Sequence, residues 1–208
     1  NSSTEICEKV SVKENFLELC VREKLFNISE FFLLAIKKSG DYLFKKIIRN
    51  KEKSTSLMQI LPHATNVTKL ENFLDEILSI YPKNSTEDFL FEVNELGNTI
   101  LHNFASDCKS MKIIECLWNK IKDLCTDEAK LREFLLMKGK YGNALLVSIA
   151  RQNENSFYFL FEQVFCKVFN IKDFAYQTDA DDQNLLHYLK FGSNSMCKFS
   201  LKKLINKF

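Results

Sequence analysis

The stretch Asn94-Glu95-Leu96-Gly97-Asn98-Thr99-Ile100-Leu101-His102-Asn103-Phe104-Ala105 decides how the chain is read. Asn94 and Gly97 mark a turn, because Asn tolerates left-handed backbone and Gly enters it without steric cost. Ile100 to Ala105 then reads as a short apolar helix. The same cadence returns twice. Written from a shared Phe, three segments align without gaps: Phe89 to His102, Phe134 to Val147 and Phe174 to His187. The Phe stands eight residues before Gly97, Gly142 and Asp182 in turn. The spacing is 45 residues from Gly97 to Gly142 and 40 from Gly142 to Asp182.

The residues after each segment repeat as well. The short apolar helices are Ile100 to Ala105, Leu145 to Ala150 and Leu185 to Leu189. Polar breaks come next, at Ser106 to Ser110, Arg151 to Asn155 and Lys190 to Asn194. Second, amphipathic helices are expected at Met111 to Leu124, Ser156 to Phe169 and Met196 to Ile205. In the first of these, Ile113, Ile114, Leu117, Trp118 and Ile121 fall at helical spacing. Thr126-Asp127-Glu128 reads as a helix start leading into Ala129 to Met137, and Ser85-Thr86-Glu87-Asp88 repeats that signal before Phe89.

This unit resembles the ankyrin repeat, whose pattern is a D-x-x-G turn, T-P-L-H-x-A-A, a polar break and a second helix. The first copy matches best, with Ile100 in place of the Pro and Asn94 in place of the Asp. The second keeps Gly142, Leu146 and Ala150 but has Val147 for the His. The third keeps Asp179, Leu186 and His187 but has Asp182 where Gly is usual. Periods above the usual value of about 33 imply an extra turn or helix in each unit. Upstream, Ser56 to Pro62 with Leu70 to Ile80, and Phe31 to Lys38 with Tyr42 to Ile48, make two further helix pairs. The expected organisation is one all-α, ankyrin-like helical solenoid over 1–208, with short turn or hairpin tips. Within it, 31–84 is degenerate repeats or a helical cap, and 85–125, 126–170 and 171–208 are clearer repeats.

Composition supports helix. The 208 residues include 5 Gly and 2 Pro, against average usage of about 7% and 5%. Such a chain lacks the turn-formers of a β-sandwich or barrel. With 29 Lys and Arg against 27 Asp and Glu, no overall field steers it to nucleic acid or anionic lipid. No run reaches the roughly 18 apolar residues of a membrane span. The chain starts at Asn1 rather than Met, which suggests a fragment or a processed product. Seven cysteines with no C-x-x-C pair suit free thiols in a reducing, cytoplasmic setting. Sequons at Asn1, Asn27, Asn66 and Asn84 argue the other way.

The candidates for chemistry are few. His102 and His187 lie on different repeats, without the i,i+4 spacing of a metal pair. The resemblance implies that each bonds the backbone of an adjoining turn. Cys108, Cys116 and Cys125 lack any motif that would make a nucleophile, and Cys116 falls on an apolar helix run. No P-loop, G-x-S-x-G or G-x-G-x-x-G occurs. No cofactor, metal or catalytic residue is therefore expected. Phe157, Phe161, Phe165 and Phe169 read as packing between stacked units. Lysines gather around Lys45 and Lys46 and again over Lys198 to Lys207, which reads as a solvated face or a patch that selects a partner by charge.

The resemblance implies a protein-binding module of the adaptor or scaffold kind, with its partner on the concave face. The tip residues would be Asn94, Glu95 and Leu96, then Lys138, Lys140 and Tyr141, then Asp179, Ala180 and Asp181. Leu96 and Tyr141 are the expected anchors. The cytosolic ankyrin region of an ion channel, or a parasite, symbiont or viral effector or inhibitor of a host protein, are the alternatives.

Overall fold

In the computed structural model, residues 61–79, 86–94 and 96–205 are described. The expected helix pair within 31–48 lies outside them, as do Ser56 to Ile60, Lys45, Lys46 and Glu95. A 3₁₀ turn (Leu61–His63) holds Pro62 and leads to α1 (Val67–Leu78). Asn66 begins α1 by accepting a hydrogen bond from Lys69 N–H at 3.0 Å, so the helix starts three residues before Leu70, the expected start. Then come α2 (Thr86–Phe91), α3 (Ile100–Asp107), α4 (Met111–Leu124), α5 (Glu128–Leu136) and α6 (Ala144–Ala150). Next is α7 (Glu154–Phe159), which runs on through a π-helical stretch (Leu160–Phe165) to a last α turn (Cys166–Val168). Last are α8 (Ile171–Ala175), α9 (Leu185–Leu189) and α10 (Asn194–Ile205). Among the described residues there is no strand, and the fold is all-α. Gly139 and Gly142 form an isolated antiparallel bridge.

The helices lie in two rows. In one row α6 packs on both α3 and α9; in the other α7 packs on both α4 and α10. The N-terminal elements extend both rows, with the 3₁₀ turn on α3 and α1 on α4. Helices of five to eight residues such as α3, α6 and α9 do not hold in water alone. Their stability comes from burial: Ile100, Leu101, His102, Asn103, Phe104 and Ala105 of α3 are all buried.

Polar groups cross between neighbours where helices end. The last carbonyls of an α-helix have no partner of their own. At the end of α3 they are met from the next unit. Asn153 Nδ2 donates to the carbonyls of Ala105 (3.1 Å) and Cys108 (2.8 Å). Ser156 Oγ donates to Phe104 O at 3.1 Å and lies 3.2 Å from Cys108 O. The same Asn153 caps α7 through its oxygen, which accepts from Ser156 N–H. One amide therefore ends one helix and begins another.

Phenylalanines fill the space between the rows. Phe157, Phe161, Phe165 and Phe169 repeat every four residues, and all are buried. A π turn closes bonds from i to i+5 and is wider than an α turn, so it holds such a four-residue repeat nearer one face. Phe161 and Phe165 both meet Phe174 edge-on, at 5.6 and 5.5 Å between ring centroids. The helix expected over Ser156 to Phe169 starts two residues earlier, at Glu154, ends at Val168, and departs from α geometry over Leu160–Phe165.

Phe89, Phe134 and Phe174, each eight residues before a turn position, are each only 1% exposed. Phe134 meets Phe91 in an edge-to-face contact at 5.7 Å. Phe134→Ala is expected to lower unfolding free energy by about 3–5 kcal/mol, measured by urea denaturation, with Phe89→Ala and Phe174→Ala costing similar amounts.

Candidate functional site

The three turns share one backbone device. Gly97 and Gly142 have φ of +72° and +79°, and Asp182 has φ of +56°. Asp is among the few non-glycine residues that enter this region readily, so it serves at the third position. In the first turn Asn94 Oδ1 accepts from Leu96 N–H and Asn98 N–H, both at 3.0 Å. In the third, Asp179 Oδ1 accepts from Asp181 N–H and Gln183 N–H, both at 2.9 Å. The middle turn carries Gly139 at that place. A side chain there would collide with Asn98, because a Cβ would lie 2.1 Å from Asn98 Oδ1. The turn closes instead by the paired backbone bonds of Gly139 and Gly142. It is one residue tighter, so Asn143 rather than residue 144 caps α6.

Successive turns touch directly. Lys140 N–H donates to Leu96 O at 2.9 Å. A Cβ on Gly97 would lie 3.4 Å from Lys138 O, and one on Gly142 would lie 2.6 Å from Leu146 Cδ1 and 3.3 Å from Asp179 Cβ. His102 fastens the first two units. Its Nδ1 accepts from Thr99 N–H at 3.2 Å and lies 2.8 Å from the Thr99 hydroxyl. Its Nε2 lies 3.0 Å from Gly142 O. A carbonyl only accepts, so the proton is on Nε2. Both ring nitrogens are thus engaged inside the fold. His187 repeats the local half of this pattern, with Asn184 N–H donating to its Nδ1 at 3.3 Å; its ring is exposed. Among the described residues no group of three or more His, Cys, Asp or Glu is placed to hold a metal ion.

The expected tip residues divide by burial. Leu96 is 50% exposed; Lys138, Lys140, Ala180 and Asp181 are exposed, and Tyr141 is half-buried. Asp179 is buried, and its second oxygen accepts from Tyr188 Oη at 2.6 Å. Burial alone would raise its pKa, but the hydrogen bonds from Tyr188, Gln183 and Asp181 hold the carboxyl below its usual value. Asp179 is committed to its own turn, and Asn94 likewise spends its oxygen on Leu96 and Asn98. Glu95 lies outside the described residues.

Two cavities open beside the tips. One, of about 220 Å³, is lined by Leu96, Asn103, Asp107, Tyr141 and Arg151, among others. The other, of about 570 Å³, is lined by Tyr141, Asp179, Tyr188 and Phe191, among others. Tyr141 belongs to both. Lys140 Nζ and the Arg151 guanidinium lie 5.3 and 5.4 Å from its ring centroid, within reach of a cation–π attraction. Asn103, Arg151, Tyr188 and Phe191 are not marked by any sequence motif. The one signal was an Asn inside the apolar run Ile100 to Ala105.

The thiols of Cys108 and Cys116 are far from nucleophilic. The five described cysteines are free, and burial pushes both Cys108 and Cys116 up to about 11. Cys116 is part of the core, as its helix position implied. Among the described residues no helix is long and apolar enough to cross a membrane. No protein-family model matches the chain, no curated protein matches its sequence, and no solved structure matches its fold.

Burial depresses the His102 pKa from 6.5 to about 4, against the opposing pull of the Gly142 carbonyl. Between those values the unfolded chain binds more protons than the folded one, so stability falls as pH falls. At ~1.4 kcal/mol per unit, this amounts to about 3 kcal/mol. Unfolding free energy measured from neutral pH down to about pH 4 is expected to fall by that order in the native sequence. His102→Gln, less stable at neutral pH, is expected to fall less steeply.

Proposed function

We propose that the chain is a non-catalytic protein-binding module, an all-α solenoid of divergent ankyrin-like repeats that works as a cytoplasmic adaptor or scaffold. The partner lies across the turn tips and the row formed by α3, α6 and α9. The observation that carries this reading is the pair of adjoining cavities that share Tyr141 and are lined by Leu96, Tyr188 and Phe191. Protein interfaces favour aromatic anchors at the centre with a polar, charged rim. Here Lys138, Lys140, Ala180 and Asp181 supply exposed rim positions.

The repeat reading is supported by three turns that each use a left-handed residue at the aligned position, and by one buried Phe eight residues before each. The non-catalytic reading is supported by how the reactive groups are used. His102 is sealed between turns with both nitrogens engaged, and the thiols of Cys108 and Cys116 stay protonated at neutral pH. A general base needs a free nitrogen near a substrate, and a nucleophilic Cys needs a lowered pKa.

The test is capture of partners from native cell extract on the immobilised chain, followed by titration of the purified partner. Leu96→Ala and Tyr141→Ala are each expected to weaken its binding by about 1–2 kcal/mol while melting near the native temperature. Leu101→Ala, in the core of α3, is expected to lose binding by unfolding. Unchanged affinity in both tip variants would place the interface elsewhere.

A further inference from the structure

We propose that the smaller cavity takes up an extended peptide segment of the partner, with an apolar side chain beside a carboxylate, and that the Asn103 amide pairs with the backbone of that segment. This inference rests on the reading of the tip surface as the binding face.

Asn103 is the first observation. It sits on α3 at 6% exposure, and its Nδ2 meets no acceptor among the described residues. Buried polar groups are nearly always paired, because leaving one unmade costs stability. Asn103 also lines the cavity. A carboxamide offers N–H donors and a carbonyl acceptor side by side, the complement of one peptide group presenting C=O and N–H. An extended strand leaves those backbone groups free to be read in this way.

Size and charge narrow the occupant. At about 220 Å³ the cavity falls below the roughly 300–1,000 Å³ usual for small-molecule sites. It suits a single side chain entering from a longer segment. Leu96, half exposed at its mouth, and the Tyr141 ring make the apolar wall. Arg151 lines the same cavity, and it is in none of the ion pairs found among the described residues. Held against the Tyr141 ring, its guanidinium is positioned for a carboxylate, which Arg binds through paired N–H donors. Asp107 also lines the cavity, so the acid must approach from the Arg151 side.

The experiment selects binders for the full chain from a random linear peptide library displayed on phage, then measures the selected peptide by fluorescence anisotropy. The expected result is enrichment of Asp or Glu next to a large apolar residue. Asn103→Ala is expected to weaken the selected peptide about tenfold with a melting temperature unchanged or raised, since the amide it removes is unpaired in the free protein. Arg151→Gln, at an exposed position that keeps the test decisive should Asn103→Ala not fold, is expected to erase the preference for Asp over Asn in the peptide. Selection of peptides without an acid, equal binding by both variants, or no enrichment at all would overturn the proposal. If the partner protein still loses affinity to Tyr141→Ala in any of those cases, the binding face stands and only the peptide is lost. If that variant loses nothing, both readings fall.

Discussion

Everything else in the structure depends on one turn resting on the next. The bond from Lys140 N–H to Leu96 O and the bond from His102 Nε2–H to Gly142 O join two units that are 45 residues apart in their turns. Both are possible only because the backbone at Gly97 and Gly142 runs left-handed and because nothing projects from Gly97, Gly139 or Gly142 into the contact. Once the turns are stacked, the first helices must lie side by side. Each then buries a face that it could not bury alone.

The same logic governs the polar atoms. A helix that ends inside a packed row exposes carbonyls that water cannot reach, and at the end of α3 the next unit supplies their partners. Asn153 and Ser156 close the end of α3 while starting α7. His102 completes its own cap and reaches its neighbour with the opposite nitrogen. Asn103 departs from this pattern: its Nδ2 meets no acceptor among the described residues, and the residue lines a cavity. Asn98 Oδ1, of a residue lining the same cavity, and Ser200 Oγ are likewise buried without a partner there.

Much of this was legible in the residues. The Phe-to-turn spacing located three buried aromatics and three left-handed positions, and the helix bounds at Met111–Leu124 and Leu185–Leu189 agree with the structure. The illegible parts share a cause, which is that they depend on a neighbour in space. Nothing local says that Asn98 of one turn occupies the volume of a missing side chain at Gly139 of the next, or that the middle helix cap therefore shifts by one residue. Asp179 looks like a free acid at a tip until Tyr188, nine residues on, closes over it. Arg151 reads as the start of a polar break, and only the fold sets it against Tyr141.

Native-state amide hydrogen exchange at Lys140 tests the stacked turns most directly. Lys140 lies in a loop with an exposed side chain, and its N–H has no partner within its own turn; its acceptor is Leu96 O. The account predicts strong protection of this amide, released together with the amides of α3 and α6 when the units part. Exchange of the Lys140 amide at the rate of an unstructured peptide, while α3 and α6 remain protected, would contradict it.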